Sequence, residues 1–175
     1  MPSKYENFPL WMILLANLLS LSVYAISLFV FARLGIVWML LYLAYCIYFE
    51  IRLLRGSCVN CYYYGKSCSF GKGRLCALFF RRGDPGKFTG RKITWRDLVP
   101  DVLVTLFPLL GGIILLIRQF DWLIVLALAV ILILTTTGNS FVRGSLACKN
   151  CKQKDLGCPA AQMFDRAHKK KEKED

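Results

Sequence analysis

Seven of the eight cysteines lie in two short stretches of matching spacing. Cys58-Val59-Asn60-Cys61 is followed by six residues and Cys68, and Cys148-Lys149-Asn150-Cys151 by six residues and Cys158. Cys76 follows the first set and has no counterpart in the second. Two cysteines separated by two residues let a tight backbone turn offer two thiolates to one ion, with backbone N–H groups aimed at the sulfurs to temper their charge. One such turn supplies half a tetrahedral site. Cys58, Cys61, Cys148 and Cys151 could meet as a single four-thiolate site. Alternatively Cys58, Cys61, Cys68 and Cys76 form a complete local site, and Cys148, Cys151 and Cys158 take a fourth ligand from outside. Spacing leaves both arrangements open, so all seven are candidate metal ligands.

All-thiolate sites suit both zinc and iron–sulfur clusters. Zinc is the expected cofactor, because its binding energy would fold a polar loop that has no core of its own. The alternative is an iron–sulfur cluster, for which Cys158-Pro159 supplies the Cys-Pro ending of ferredoxin-type runs, although the upstream spacing differs. A redox-active thiol pair also competes, since neighbouring Lys and Arg favour thiolate, but it leaves the third cysteine at its fixed interval unexplained. Cys46 lies inside an apolar run and reads as a small buried residue. The single histidine, His168, sits beside Lys169-Lys170-Lys171 in a polar tail and is a poor fourth ligand.

The elements that must carry these turns are apolar. The chain is 56% hydrophobic and 19% charged over 175 residues, and uncharged runs cover residues 9–32, 34–49, 102–117 and 122–142. Each can cross a hydrocarbon core of about 30 Å, the second and third by extending through apolar flanks. The first run exceeds a signal-peptide core and lacks a small-x-small cleavage site, so it is expected to stay in the mature protein. Four spans in two hairpins follow, with tight turns at Arg33-Leu34-Gly35 and at Arg118-Gln119-Phe120-Asp121. The fold class is an all-α membrane protein. Its expected divisions are a first hairpin over residues 1–54, a basic cysteine-rich loop over 55–97, a second hairpin over 98–142 and a basic cysteine-rich tail over 143–175.

Charge sets the expected orientation. Of 23 Lys and Arg, eleven lie in residues 52–96 and nine in 143–175, against one in each hairpin turn. Basic residues near span ends stay on the cytoplasmic side, which places both cysteine segments and both termini inside, at the cell's inner or plasma membrane. There the cytoplasm disfavours structural disulfides. The net charge of +12 then reflects topology and attraction to anionic lipid headgroups, and nucleic acid is excluded as a partner. Both cysteine blocks follow a hairpin and an Arg-Gly-Ser, at residues 55–57 and 143–145, which reads as a parallel internal duplication.

The stretches Cys61-Tyr62-Tyr63-Tyr64-Gly65-Lys66 and Gly157-Cys158-Pro159-Ala160-Ala161, with Gly138-Asn139 and Arg143-Gly144 upstream of the latter, resemble those of cysteine-rich, four-span prokaryotic membrane proteins. The resemblance rests mainly on the two cysteine blocks. It implies a multi-pass membrane fold and carries no catalytic role to any residue.

Other features carry smaller expectations. Residues 75–82 form an apolar patch ending in two cations, fit to rest on a membrane surface. Gly83-Asp84-Pro85-Gly86 reads as a turn, Thr94-Trp95-Arg96-Asp97 as a capped helix start, and Trp95 as an interfacial anchor. Pro108 and Gly111-Gly112 point to a kink and a close helix contact. The run 135–139 reads as a frayed helix end, and Asn17 as an interhelical donor. Glu50 and Asp101, the acids nearest the hydrocarbon, are expected to be paired or solvated, Glu50 by Arg52 and Arg55. No phosphate loop, hydrolase triad or metalloprotease helix is present, so a non-enzymatic scaffold with a cytoplasmic protein partner is the leading expectation, ahead of a membrane-surface electron carrier. Transport linked to metal or thiols would need polar residues along the spans, and they are scarce.

Overall fold

A computed structural model describes residues 4–91, 93–159 and 161. Among them it is helical, with one isolated bridge between Tyr5 and Cys151. Helix α1 (Leu10–Leu34) and α2 (Ile36–Gly56) are joined by Gly35 alone, whose φ of +140° is comfortable only without a Cβ. Two short helices, α3 (Lys72–Phe79) and α4 (Pro85–Thr89), precede α5 (Trp95–Arg118). Helix α6 (Trp122–Ile133) continues in wider-wound turns over Leu134–Gly138 and Phe141–Ala147, and α7 (Lys152–Asp155) follows.

Four helices are long and apolar enough to cross a membrane: 25, 25, 24 and 29 residues with mean hydropathy 2.2, 1.6, 2.2 and 2.1. At 1.5 Å per residue the shortest reaches about 36 Å, more than a hydrocarbon core. Leu18, Leu21, Trp38, Ile117 and Trp122 stay exposed on the outside of the bundle, as lipid-facing residues would. Helix α1 packs against α2, α5 and α6. Arg33 reaches Asp121 at 3.3 Å, so the two hairpin turns share one end and the cysteine segments gather at the other.

Helix α5 shows how two internal prolines are tolerated. Pro108 and Pro100 lack the N–H that would serve the carbonyls of Val104 and Arg96, four residues earlier. The Tyr42 hydroxyl donates to the Val104 carbonyl at 2.9 Å, and Arg52 donates to that of Arg96 at 2.9 Å. Side chains of α2 thus recapture both acceptors. The close contact expected at Gly111-Gly112 is present, because a Cβ at Gly112 would stand 2.5 Å from Leu128 and one at Gly111 would stand 3.3 Å from the Phe31 ring.

Four local expectations change. Residues 135–139 are not a frayed end. The Thr135 and Thr136 hydroxyls donate to the carbonyls of Ile131 and Leu132 at 2.7 and 2.6 Å, competing with backbone N–H groups for those acceptors, and the helix widens but continues. Asp84 caps α4 by accepting from Gly86 N–H at 2.8 Å, so Pro85 opens a helix at the residues expected to form a turn. Asn17 donates to the carbonyls of Ile13 in its own helix and Phe70 in the loop, at 2.8 and 3.3 Å, not to another span. Glu50 pairs with Lys72 at 2.6 Å and accepts from the Tyr24 hydroxyl at 2.8 Å, whereas Arg52 and Arg55 point elsewhere. The expected start at Thr94 is present, with Asp97 accepting from the Thr94 N–H at 3.1 Å. The patch at residues 75–82 lies in and beyond α3, burying Cys76 and leaving Leu78 and Phe79 exposed.

Candidate metal centre

Each cysteine pair sits where a long helix ends. The first forms a tight turn over Cys58–Asn60, closed by the Cys61 N–H donating to the Cys58 carbonyl at 3.3 Å, and the Tyr64 N–H then donates to Cys61 at 3.1 Å. The second turn, Cys148–Asn150, has the same bonds from Cys151 to Cys148 at 3.4 Å and from Lys154 to Cys151 at 3.2 Å. Backbone N–H groups also face the sulfurs. The Gly73 N–H donates to Cys68 Sγ at 3.3 Å, and the N–H groups of Tyr63, near Cys61, and of Gln153 and Lys154, near Cys151, pull those thiols toward the anion. Such donors favour sulfur in its anionic form. Cys76 is fully buried and donates its S–H toward the Leu54 carbonyl at 3.7 Å.

The N-terminal segment draws the two blocks together. Tyr5 N–H donates to the Asn150 carbonyl at 3.2 Å and Phe8 N–H to that of Ser67 at 2.8 Å. Ser67 N–H donates in turn to Asn7 Oδ1 at 3.1 Å. The Tyr63 hydroxyl donates to the Tyr5 carbonyl at 2.6 Å and accepts from Lys152 N–H at 3.0 Å, linking all three segments through one oxygen. Ion pairs between Lys152 and Glu6, at 2.6 Å, and between Lys4 and Asp155 flank it. Phe8, Met12 and Tyr63 form the small core beneath, with Cys61, Cys68 and Cys151 packed against it. Gln153, 4% exposed, reaches from the second block, where its Oε1 accepts from Tyr62 N–H at 2.7 Å and from the Cys61 S–H at 3.7 Å.

Electrostatics show which thiols are neighbours. Burial pushes the Cys61 thiol up to about 11; the Tyr63 N–H opposes this, and Cys151, Cys68 and Cys158 raise it further. Cys151 is raised first by burial, against its two N–H donors, with Cys158 and Cys148 adding. Cys58 has Cys68, Cys76 and Cys61 as its thiol neighbours, and Cys148 has Cys158. Thiols of both blocks thus act on Cys61, whereas those acting on Cys58 belong to its own block. Among the described residues all eight cysteines are free, and no three His, Cys, Asp or Glu side chains converge closely enough to hold a metal as they stand. His168 lies outside the described residues, as does Ala160. Cys46 is buried beside Phe31 and Tyr42.

Sequence reasoning missed the N-terminal segment and Gln153. The only signal was the pair of aromatics, Tyr5 and Phe8, in a polar stretch directly before an apolar run. No protein family, curated protein or solved structure matches this chain. Its four apolar helices fit a multi-pass membrane protein.

Proposed function

We propose that this is a membrane-embedded scaffold whose cysteine face is a structural, zinc-type thiolate centre on the cytoplasmic side of the plasma membrane. The centre fixes the two hairpins together and leaves a surface for docking a soluble protein. The observation that carries this reading is that Cys61, in the first block, is raised electrostatically by Cys151 and Cys158 of the second. It supplies the outside ligand that Cys148, Cys151 and Cys158 lack, and four thiolates complete a tetrahedral site. Two turns of the same form, closed by Cys61 N–H on the Cys58 carbonyl and Cys151 N–H on the Cys148 carbonyl, support it, and the sulfurs would close on an ion by moving together. Cys58 and Cys68 form the matching half of a parallel duplication, and Cys76 stays a buried thiol. The basic character of both segments supports the inward orientation.

The test is elemental analysis and visible spectroscopy of protein purified without oxygen. Colourless wild-type protein with about one zinc per chain is expected. Cys61→Ser and Cys148→Ser should each lower both zinc content and melting temperature, with Cys46→Ser retaining zinc. Iron with visible absorbance would replace the scaffold by the electron carrier, and a metal-free chain would overturn the centre altogether.

A further inference from the structure

A cavity of about 500 Å³ opens between the long helices, running from Ser57 and Cys58 at the cysteine end to Ser20 and Tyr24 in the middle of α1. Four charged side chains line it: Glu50, Lys72, Asp101 and Arg143. Glu50, Asp101 and Arg143 lie within the spanning helices, where charge is costly and is kept for binding or passage. The two pairs differ. Glu50 and Lys72 are in contact at 2.6 Å, with Tyr24 adding a third bond to the carboxylate. Asp101 and Arg143 stand 3.9 Å apart, beyond hydrogen-bond distance, with side chains 45% and 49% exposed. The Arg143 guanidinium lies 5.6 Å above the Phe70 ring, held at the cavity wall.

The lining chooses among ligands. A lone cation would meet Lys72 and Arg143, and a lone anion would meet Glu50 and Asp101. A neutral headgroup would leave the open Asp101–Arg143 pair unused. A zwitterion satisfies both members at once, through charge-assisted hydrogen bonds to each. Half of the remaining lining residues are apolar, among them Leu19, Val23, Phe49 and Val102, which suits hydrocarbon. We infer that this cavity binds an aminophospholipid, with its phosphate on Arg143 and its primary ammonium on Asp101. The site rests on the bundle and not on the metal centre, so each can fail alone.

The experiment is native mass spectrometry of the full-length, detergent-solubilised protein offered equal amounts of phosphatidylethanolamine, phosphatidylcholine and phosphatidylglycerol, with free phosphoethanolamine as a separate arm. One phosphatidylethanolamine per chain is expected, preferred at least tenfold over the other two lipids, because a quaternary ammonium donates no N–H bond and a glycerol headgroup carries no cation. Arg143→Gln and Asp101→Asn should each reduce that preference below threefold. Thr105→Phe, which fills the cavity without touching a charge, should abolish binding and keeps the test decisive if a charge variant fails to fold. Equal retention of the three lipids, or a preference for phosphatidylglycerol, overturns the proposal. Free phosphoethanolamine bound as tightly as the lipid overturns the lipid assignment.

Discussion

Replacing Tyr63 with Phe tests how the cysteine face is held together. The ring stays, so the packing of Phe8 and Met12 against it is kept, and only one oxygen is removed. That oxygen donates to the Tyr5 carbonyl and accepts from the Lys152 N–H, and Tyr63 is 2% exposed. Two groups lose their partner at once. Each buried, unsatisfied group costs about 1–3 kcal/mol, and partial access of water at the polar end brings the sum to about 2–4 kcal/mol. With 1.4 kcal/mol per factor of ten, local opening should become about 30- to 700-fold more frequent. The assay is hydrogen exchange of the protein in nanodiscs, read at the Phe8 amide, whose bond to Ser67 at 2.8 Å is untouched by the substitution and reports on the segment as a whole. Exchange at the centre of α1 should stay unchanged. A Phe8 amide that accelerates less than threefold would refute the idea that this hydroxyl joins the three segments.

Two further perturbations follow from the same bonding. In chelator-treated, reduced protein, Cys61 is held from its ordinary 9.0 up to about 11, so the folded state keeps a proton that the unfolded state releases earlier. Its contribution is complete below pH 9 and fades as pH rises through 11, on the order of 3 kcal/mol in all; denaturation midpoints across that window should fall in wild type and stay flatter in Cys61→Ala. In the bundle, Tyr42→Phe strips the Val104 carbonyl of its donor and should cost about 1–3 kcal/mol, whereas in a Pro108→Ala background the restored N–H serves that carbonyl and the same substitution should cost under half as much. Additive effects in this double-mutant cycle would dismiss the recapture of the proline-orphaned acceptor.

What was legible in the sequence follows from which interactions are local. An uncharged run of about twenty residues needs no partner to be read as a span, and α1, α2 and α6 begin within two residues of where the charge pattern places them, whereas α5 begins seven residues earlier, at Trp95. The capped start at Thr94 and the Cys-x-Asn-Cys turns are likewise set by residues three or four apart. Tyr63 to Tyr5, Gln153 to Tyr62 and Lys152 to Glu6 bridge 58, 91 and 146 positions, and no local pattern marks either end. The same holds for Lys72 replacing Arg52 and Arg55 as the partner of Glu50. Nearest in sequence was the wrong criterion, because α2 turns its basic residues toward Arg96 and Phe80 while the loop returns Lys72 to the bundle. Prolines offered a readable clue that spacing alone does not complete. Each Pro in α5 announces an orphaned carbonyl four residues earlier, but only the packing of α2 tells which side chain answers it.

The cysteine face also bears on why thiols would gather here at all. Its core is three buried side chains, Phe8, Met12 and Tyr63, beneath three converging segments rich in glycine and polar residues. Folds with so little apolar burial usually depend on a covalent or metal staple, since ordering the backbone alone costs about 1–2 kcal/mol per residue. Disulfides are absent among the described residues, the Gly73 N–H donates to Cys68, and backbone N–H groups pull the Cys61 and Cys151 thiols toward the anion against their burial. Neighbouring thiols that repel as anions and are nonetheless furnished with anion-favouring donors make physical sense once a dication sits among them. Without one, burial raises Cys61 and Cys151 and the donors are spent on groups that stay neutral.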